Sequence, residues 1–183
     1  MLPDGALLEA REINCWRGDR HILRDVSFGV RAGEFLKLTG PNGVGKTTLI
    51  RIVCGLLPPE NGTVLWRGKR VSSSNDEYHI EMAYLGHLNS LKADLTAREN
   101  LRFLAGLRNT LTDADIDGAL DRVGILSRGD LVARSLSAGQ KRRLALARLL
   151  LSGAGLSILH EPVTNLDTAG CRAGPGMVTA SAN

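Results

Sequence analysis

Cysteine is scarce in this chain, and what there is stands alone. Cys15, Cys54 and Cys171 are scattered, with no paired spacing of the kind a zinc site or a redox motif requires, which suits a reduced, intracellular protein. Long apolar runs are missing too. No segment approaches the roughly 18 to 20 apolar residues that cross a bilayer, and the N-terminus lacks the basic-then-apolar layout of a signal peptide. Any membrane association is therefore expected through a partner. Nor is there a strong excess of one charge. The net charge of +4 is an ordinary solvated basic surface, so no nucleic-acid partner is expected. What remains, 183 residues with 43% hydrophobic and 23% charged, suits one compact globular domain.

The most informative stretch is Gly40-Pro41-Asn42-Gly43-Val44-Gly45-Lys46-Thr47-Thr48. It fits the phosphate-binding pattern of Gly, four free positions, then Gly-Lys-Ser/Thr, and that motif requires a strand before it and a helix after it. Phe35 to Thr39 reads as a buried strand, and Thr48 to Cys54 as a helix closed by Gly55. Glycines let successive backbone N–H groups turn onto a phosphate, and the helix N-terminus favours an anion. Lys46 can reach the β- and γ-phosphates of a nucleotide, and the Thr47 hydroxyl can ligate Mg²⁺.

Around this loop the pattern is α/β. Leu7 to Cys15 and Val26 to Val30 read as strands joined by the turn Arg17-Gly18-Asp19-Arg20, and Thr63 to Trp66 as another strand ahead of an Arg67-Gly68 turn. The middle third is helical. Thr96-Ala97-Arg98-Glu99 has capping-box spacing ahead of Leu101, Leu104 and Leu107; Thr112 to Asp115 repeats the signal ahead of Ile116, Ala119, Leu120 and Val123. Ser137 can cap an amphipathic helix whose apolar face is Leu144, Ala147, Leu150 and Leu151. Leu156 to Leu159 reads as a short buried strand ending in His160-Glu161, where open α/β sheets place ligand chemistry.

In their order and spacing, the P-loop, Leu136-Ser137-Ala138-Gly139-Gln140, the Ile158 to Pro162 strand end and Asn165-Leu166-Asp167 resemble the ATP-binding subunits of ABC transporters. The resemblance runs from about Leu7 to Asp167. Tyr84-Leu85-Gly86-His87, Leu95 to Phe103 and Val64-Leu65-Trp66 are similar to the ATP-binding subunits of cytochrome c maturation haem exporters in particular. It implies a P-loop NTPase fold of the ABC type over residues 1–167, with a helical subdomain at about 88–150. It also implies ATP and Mg²⁺ as cofactors, an integral membrane permease as partner, a peripheral place on the cytoplasmic face of the bacterial inner membrane, and a head-to-tail dimer with a second copy. In such a dimer ATP would lie between the P-loop of one copy and Ser137, Gly139 and Gln140 of the other. Glu161 would orient or deprotonate the attacking water, and Asp167 would help couple the two sites. The stretch between the P-loop and Leu136 has no long coiled-coil or arm, unlike soluble members acting in DNA repair or translation.

Three positions depart from the family pattern. The Asp that precedes the catalytic Glu is here His160, and imidazole is a poor partner for a hard cation. The glutamine expected after His87 is Leu88, which cannot ligate metal or water. The switch histidine expected beyond Asp167 has no counterpart, since no histidine follows His160. The C-terminus is expected to be truncated or rearranged, with 168–183 a poorly ordered tail in which Met177 to Ala180 is the only strand-like piece and Thr168 to Gly176 offers too few residues for a parallel crossover. These departures keep a second reading open, a degenerate module that binds ATP without hydrolysing it efficiently. The adenine platform also stays open between the Trp16 ring and the Arg17 guanidinium.

Overall fold

The computed structural model describes residues 5–86, 90–106, 110–160 and 176–180. They fall into two compact units, one running to Tyr84 and resuming at Gly155, the other spanning Leu85–Ala154.

The first unit holds β1 (Leu8–Arg17), β2 (Arg20–Val30), β3 (Glu34–Leu38), α1 (Lys46–Val53), β4 (Asn61–Trp66), β5 (Lys69–Arg70), α2 (Asp76–Glu81) and β6 (Met82–Leu85). β7 (Leu156–His160) and β8 (Gly176–Ala180) follow after the second unit. An antiparallel sheet has the order β2-β1-β4-β5. In β1, Leu8, Ala10, Ile13 and Cys15 are buried; an irregularity between Ala10 and Ile13 keeps both halves facing the core. Glu12 takes φ 51° there. Opposite it sits Gly62, where an added Cβ would lie 2.4 Å from the Glu12 carbonyl oxygen and 2.5 Å from that of Arg11, so only glycine lets β4 pair across the bulge.

Leu8, Ile13, Ile50, Ile52, Trp66, Tyr78, Leu156 and Ile158 belong to one apolar cluster; each large aliphatic side chain buried this way contributes about 1.5–3 kcal/mol. Tyr78 is anchored at both ends of its chemistry. Its ring is buried, and its hydroxyl donates to the Val53 carbonyl at 2.7 Å. The sequence reading had no helix at α2, whose signal is a side-chain cap: the Asn75 carboxamide oxygen accepts from the Tyr78 N–H at 3.1 Å.

The second sheet has the order β3-β8-β7-β6, with β8 parallel to both β3 and β7. Two expectations are corrected here. The strand ahead of the P-loop is only half-buried, with Phe35 42% exposed, and it lies at one edge of the sheet. And 176–180 form a strand inside the sheet, pairing Phe35 with Met177 and His160 with Ala180. Counted from the end of β7, residues 161–175 meet the dozen or so that a parallel connection needs.

The second unit is helical, with α3 (Ala97–Gly106), α4 (Asp113–Arg122) and α5 (Ala138–Leu151). Both predicted capping boxes form. The Glu99 N–H donates to Thr96 Oγ1 at 3.2 Å while Glu99 Oε2 accepts from the Thr96 N–H at 2.8 Å; Thr112 and Asp115 do the same at 3.2 and 2.9 Å. The stripe Ile116, Ala119 and Leu120 packs with Leu101, Leu136, Leu144 and Ala147. The helix α5 differs from the amphipathic reading. Ala145, Leu146 and Leu149 are buried along with Leu144 and Ala147, and so is Arg142, whose guanidinium donates to the Gly86 carbonyl at 2.9 Å. A helix apolar around most of its girth is one enclosed on several sides.

Candidate functional site

The P-loop connects β3 to α1, and its backbone is set by three positive-φ glycines, Gly40 at 144°, Gly43 at 82° and Gly45 at 109°. Gly45 is constrained twice over. Its φ lies beyond the left-handed well that side-chain-bearing residues tolerate, and an added Cβ would meet Ile22 Cγ2 at 2.8 Å and Leu23 Cδ2 at 2.9 Å. The close approach of β2 thus fixes where the loop ends and α1 begins.

Gly45 also caps α1, with no side-chain hydrogen bond to that helix end. The N–H groups of Lys46, Thr47 and Thr48 lie in the first turn, ahead of the first i→i−4 bond, from Leu49 to the Gly45 carbonyl at 2.9 Å. Donors so placed, together with the helix dipole, favour an anion. Lys46 leans back over the loop, its Nζ donating to the carbonyls of Gly40 at 2.5 Å and Pro41 at 2.9 Å. An ammonium has three donors, so this arrangement leaves one for a ligand.

These groups line a cavity of about 180 Å³, formed by Asn42, Gly43, Gly45, Lys46, Thr47 and Thr48 with Arg17 and Ile22 from the β1–β2 hairpin. Of the predicted site residues, the loop from Gly40 to Thr48 is therefore one contiguous feature. Ile22 is the member that sequence reasoning missed. It lies far up the chain from the P-loop, and nothing in the motif announces the strand packed against Gly45.

The hairpin also separates the two residues weighed for the nucleobase. Trp16 pairs across the strands with His21, and Arg17 with Arg20; successive residues face opposite ways. Trp16 is stacked on His21, with ring centroids 3.8 Å apart and planes 5° from parallel. The His21 ring is held in turn, its Nε2 lying 2.9 Å from the Asn14 Oδ1, while the Asn14 amide donates to Asp25 at 2.8 Å.

In the helical unit, Ser137 caps α5 through a full capping box. The Gln140 N–H donates to Ser137 Oγ at 3.2 Å, and Gln140 Oε1 accepts from the Ser137 N–H at 2.9 Å. Gln140 is thus spent on the helix end. The Ser137 hydroxyl proton and the N–H groups of Ala138 and Gly139 stay available at an exposed, positively polarised terminus. An added Cβ at Gly139 would meet nothing within 4 Å, so local packing does not require glycine there. Glu161, the predicted catalytic carboxylate, lies outside the described residues, as do Leu88 and Asp167. His160 ends β7.

The ABC transporter family model matches residues 23–164. The Cytochrome c biogenesis ATP-binding export protein CcmA of Dechloromonas aromatica is 45% identical over 164 residues, covering 89% of this chain and 80% of that protein. Its namesake from Nitrosococcus oceani is 47% identical over 156 residues, with 85% and 71% covered. Among solved structures, an ATP binding subunit of an ABC transporter aligns at a TM-score of 0.80 and 26% identity, covering 96% of this chain and 79% of that one. A Clostridium perfringens protein described as part of the ABC transporter complex cbiONQ aligns at 0.80 and 26%, covering 98% and 80%. With the match spanning the P-loop, α5 and β7, the chain belongs to the ABC transporter family, as one of its ATPase domains.

Proposed function

We propose that this chain is the ATP-hydrolysing subunit of an ABC-type haem exporter complex acting in cytochrome c biogenesis. It would be peripheral on the cytoplasmic face of the bacterial inner membrane and bound there to an integral membrane permease. The observation that carries the ATP reading is the P-loop cradle, with a helix N-terminus that Gly45 caps without a side-chain hydrogen bond, that glycine pinned by β2 and Lys46 leaning over the cavity. The pathway rests on the 45% identity to the CcmA relatives. No described helix is long and apolar enough to cross a membrane, which is consistent with attachment through a partner.

Phosphoryl transfer is mostly positioning and charge stabilisation. Here the backbone N–H groups of Gly43 to Thr48 and the Lys46 ammonium would hold the triphosphate. Mg²⁺ takes oxygen ligands, often one or two from protein with the rest from phosphates and water; the Thr47 hydroxyl lining the cavity fits that donor set, and the ion would supply charge neutralisation. A second copy, docked head to tail, would present the Ser137 hydroxyl and the Gly139 N–H to the γ-phosphate, with Gln140 keeping that helix end in shape. Glu161 would hold the attacking water.

The test is phosphate release by the chain assembled with its permease. Turnover that disappears in Glu161→Gln supports the proposal; turnover unchanged by that substitution contradicts it. A second reading, ATP binding without efficient hydrolysis, is favoured by His160 standing where the family has a carboxylate. If turnover is slow and His160→Asp raises it about 10- to 100-fold, the typical scale for a metal's supporting residues, the second reading describes the natural chain.

A further inference from the structure

Among the described residues, Arg142 is the one charged side chain that is buried, at 5% exposure. The buried Asn100 has a local use, holding the carbonyls of Lys92, Leu95 and Thr96 just ahead of it. Arg142 is different. Its guanidinium keeps its charge at any ordinary pH, and a buried charge is costly unless it is hydrogen-bonded. For packing alone an aliphatic residue would serve, as Leu144, Ala145 and Leu146 do beside it. The arginine instead reaches out of its helix, donating to the Gly86 carbonyl at 2.9 Å across 56 residues of chain. Gly86 directly follows β6, and both residues belong to the helical unit.

The place of Arg142 on α5 gives this bond its meaning. It stands one helical turn beyond Ala138 and Gly139, and residues so spaced share a face. Further along, Leu144 and Ala147 hold the helix in the apolar cluster of the unit. Apolar contact is non-directional and leaves a helix free to turn about its axis. A hydrogen bond is directional and weakens steeply when misaligned.

We infer that Arg142 is a positioning residue for ATP turnover. Its bond to Gly86 fixes the rotation of α5, and with it the place where the Ser137 hydroxyl and the Gly139 N–H meet a γ-phosphate held by a second copy. Being buried, Arg142 acts through the helix end and not by touching nucleotide. The inference rests on the head-to-tail reading of the proposed function.

Phosphate release by the chain assembled with its permease, ATP titration and circular dichroism test this on two variants. Arg142→Met fills the space without a donor, and Arg142→Lys carries an ammonium that can reach the same carbonyl. Misplacing a reacting group by about 1 Å costs on the order of 100-fold. In Arg142→Met, kcat per folded molecule is therefore expected to fall roughly 10- to 100-fold, with KM and ATP affinity within about 2-fold. Arg142→Lys is expected to recover most of kcat. A merely structural arginine would lower the folded fraction and leave kcat per folded molecule alone, and that result would overturn the inference. So would a loss of kcat matched by an equal loss of ATP affinity, or Arg142→Lys as slow as Arg142→Met. Should Arg142→Met not fold, Arg142→Gln, polar but shorter, takes its place with the same expected split. No turnover by the unaltered complex would overturn the hydrolysis reading and the inference with it, whereas normal turnover that ignores Arg142 would sink the inference alone.

Discussion

Gly139 gives the sharpest separation of folding from function, because the two predict opposite signs. It lies in the exposed first turn of α5, its φ is not in the positive range, and an added Cβ meets nothing within 4 Å. Within a helix, glycine costs about 0.5–1 kcal/mol against alanine through backbone entropy. Gly139→Ala should therefore stabilise the chain by up to about 1 kcal/mol, and for a domain of this size that raises Tm by roughly 1–4 °C. The functional reading requires the γ-phosphate of a nucleotide on a second copy to come within hydrogen-bond distance of this N–H. A methyl group forced into such a contact costs roughly 1–3 kcal/mol, which is about a 5- to 150-fold loss of turnover by transition-state arithmetic. Thermal unfolding and phosphate release on the same preparation decide it. A variant that is more stable and slower is expected. One that is less stable would mean that the fold requires the glycine, and one that turns over normally would mean that nothing approaches it.

Other expectations follow from the same structure. Gly62→Ala, the reverse case, puts a Cβ within 2.4–2.6 Å of the backbone of Arg11 and Glu12, which no side-chain rotation relieves; a loss of several kcal/mol is expected in urea unfolding, beyond the ordinary range for one substitution. Burial pushes the Cys54 thiol up to about 12, and burial with the neighbouring Glu60 also raises Cys15. Neither should be alkylated in the folded protein at pH 8, and both should react in denaturant, as mass spectrometry can read. Hydrogen bonds from the Thr96 backbone and hydroxyl hold Glu99 below its ordinary value, and those from the Thr112 hydroxyl and backbone do so for Asp115. A depressed carboxylate stabilises the fold above its unfolded value, near 4, and loses that support as pH falls through the folded value. Circular dichroism should therefore show the helical unit loosening on acidification below about pH 4, with a shallower dependence in Thr112→Ala.

How much could be read beforehand differs by kind of interaction. Short-range signals were legible: the P-loop from its glycine spacing, and the starts of α3, α4 and α5 from Thr96, Thr112 and Ser137, because capping is chemistry between residues three apart. Long-range effects were not. The exposure of Phe35 depends on what covers β3 in the folded chain, and the placement of 176–180 between β3 and β7 is a parallel pairing with no local code. Ile22 contacts Gly45 only once β2 has folded back, and Trp16 and Arg17 are adjacent in sequence but assigned to different faces by the hairpin register. The burial of α5 on several sides between Arg142 and Leu149 is not local either, since Arg142, Arg143 and Arg148 give it a polar look.

The central claim is that Gly40 to Thr48 is a working triphosphate cradle. The direct measurement is calorimetric titration of ATP into the full chain, with and without Mg²⁺, alongside Lys46→Ala. Saturable binding to the unaltered chain, tighter with Mg²⁺ and weakened at least roughly 10-fold in Lys46→Ala, as loss of a charge-assisted contact requires, is the predicted result. No binding under either condition, or binding indifferent to Lys46, would contradict it.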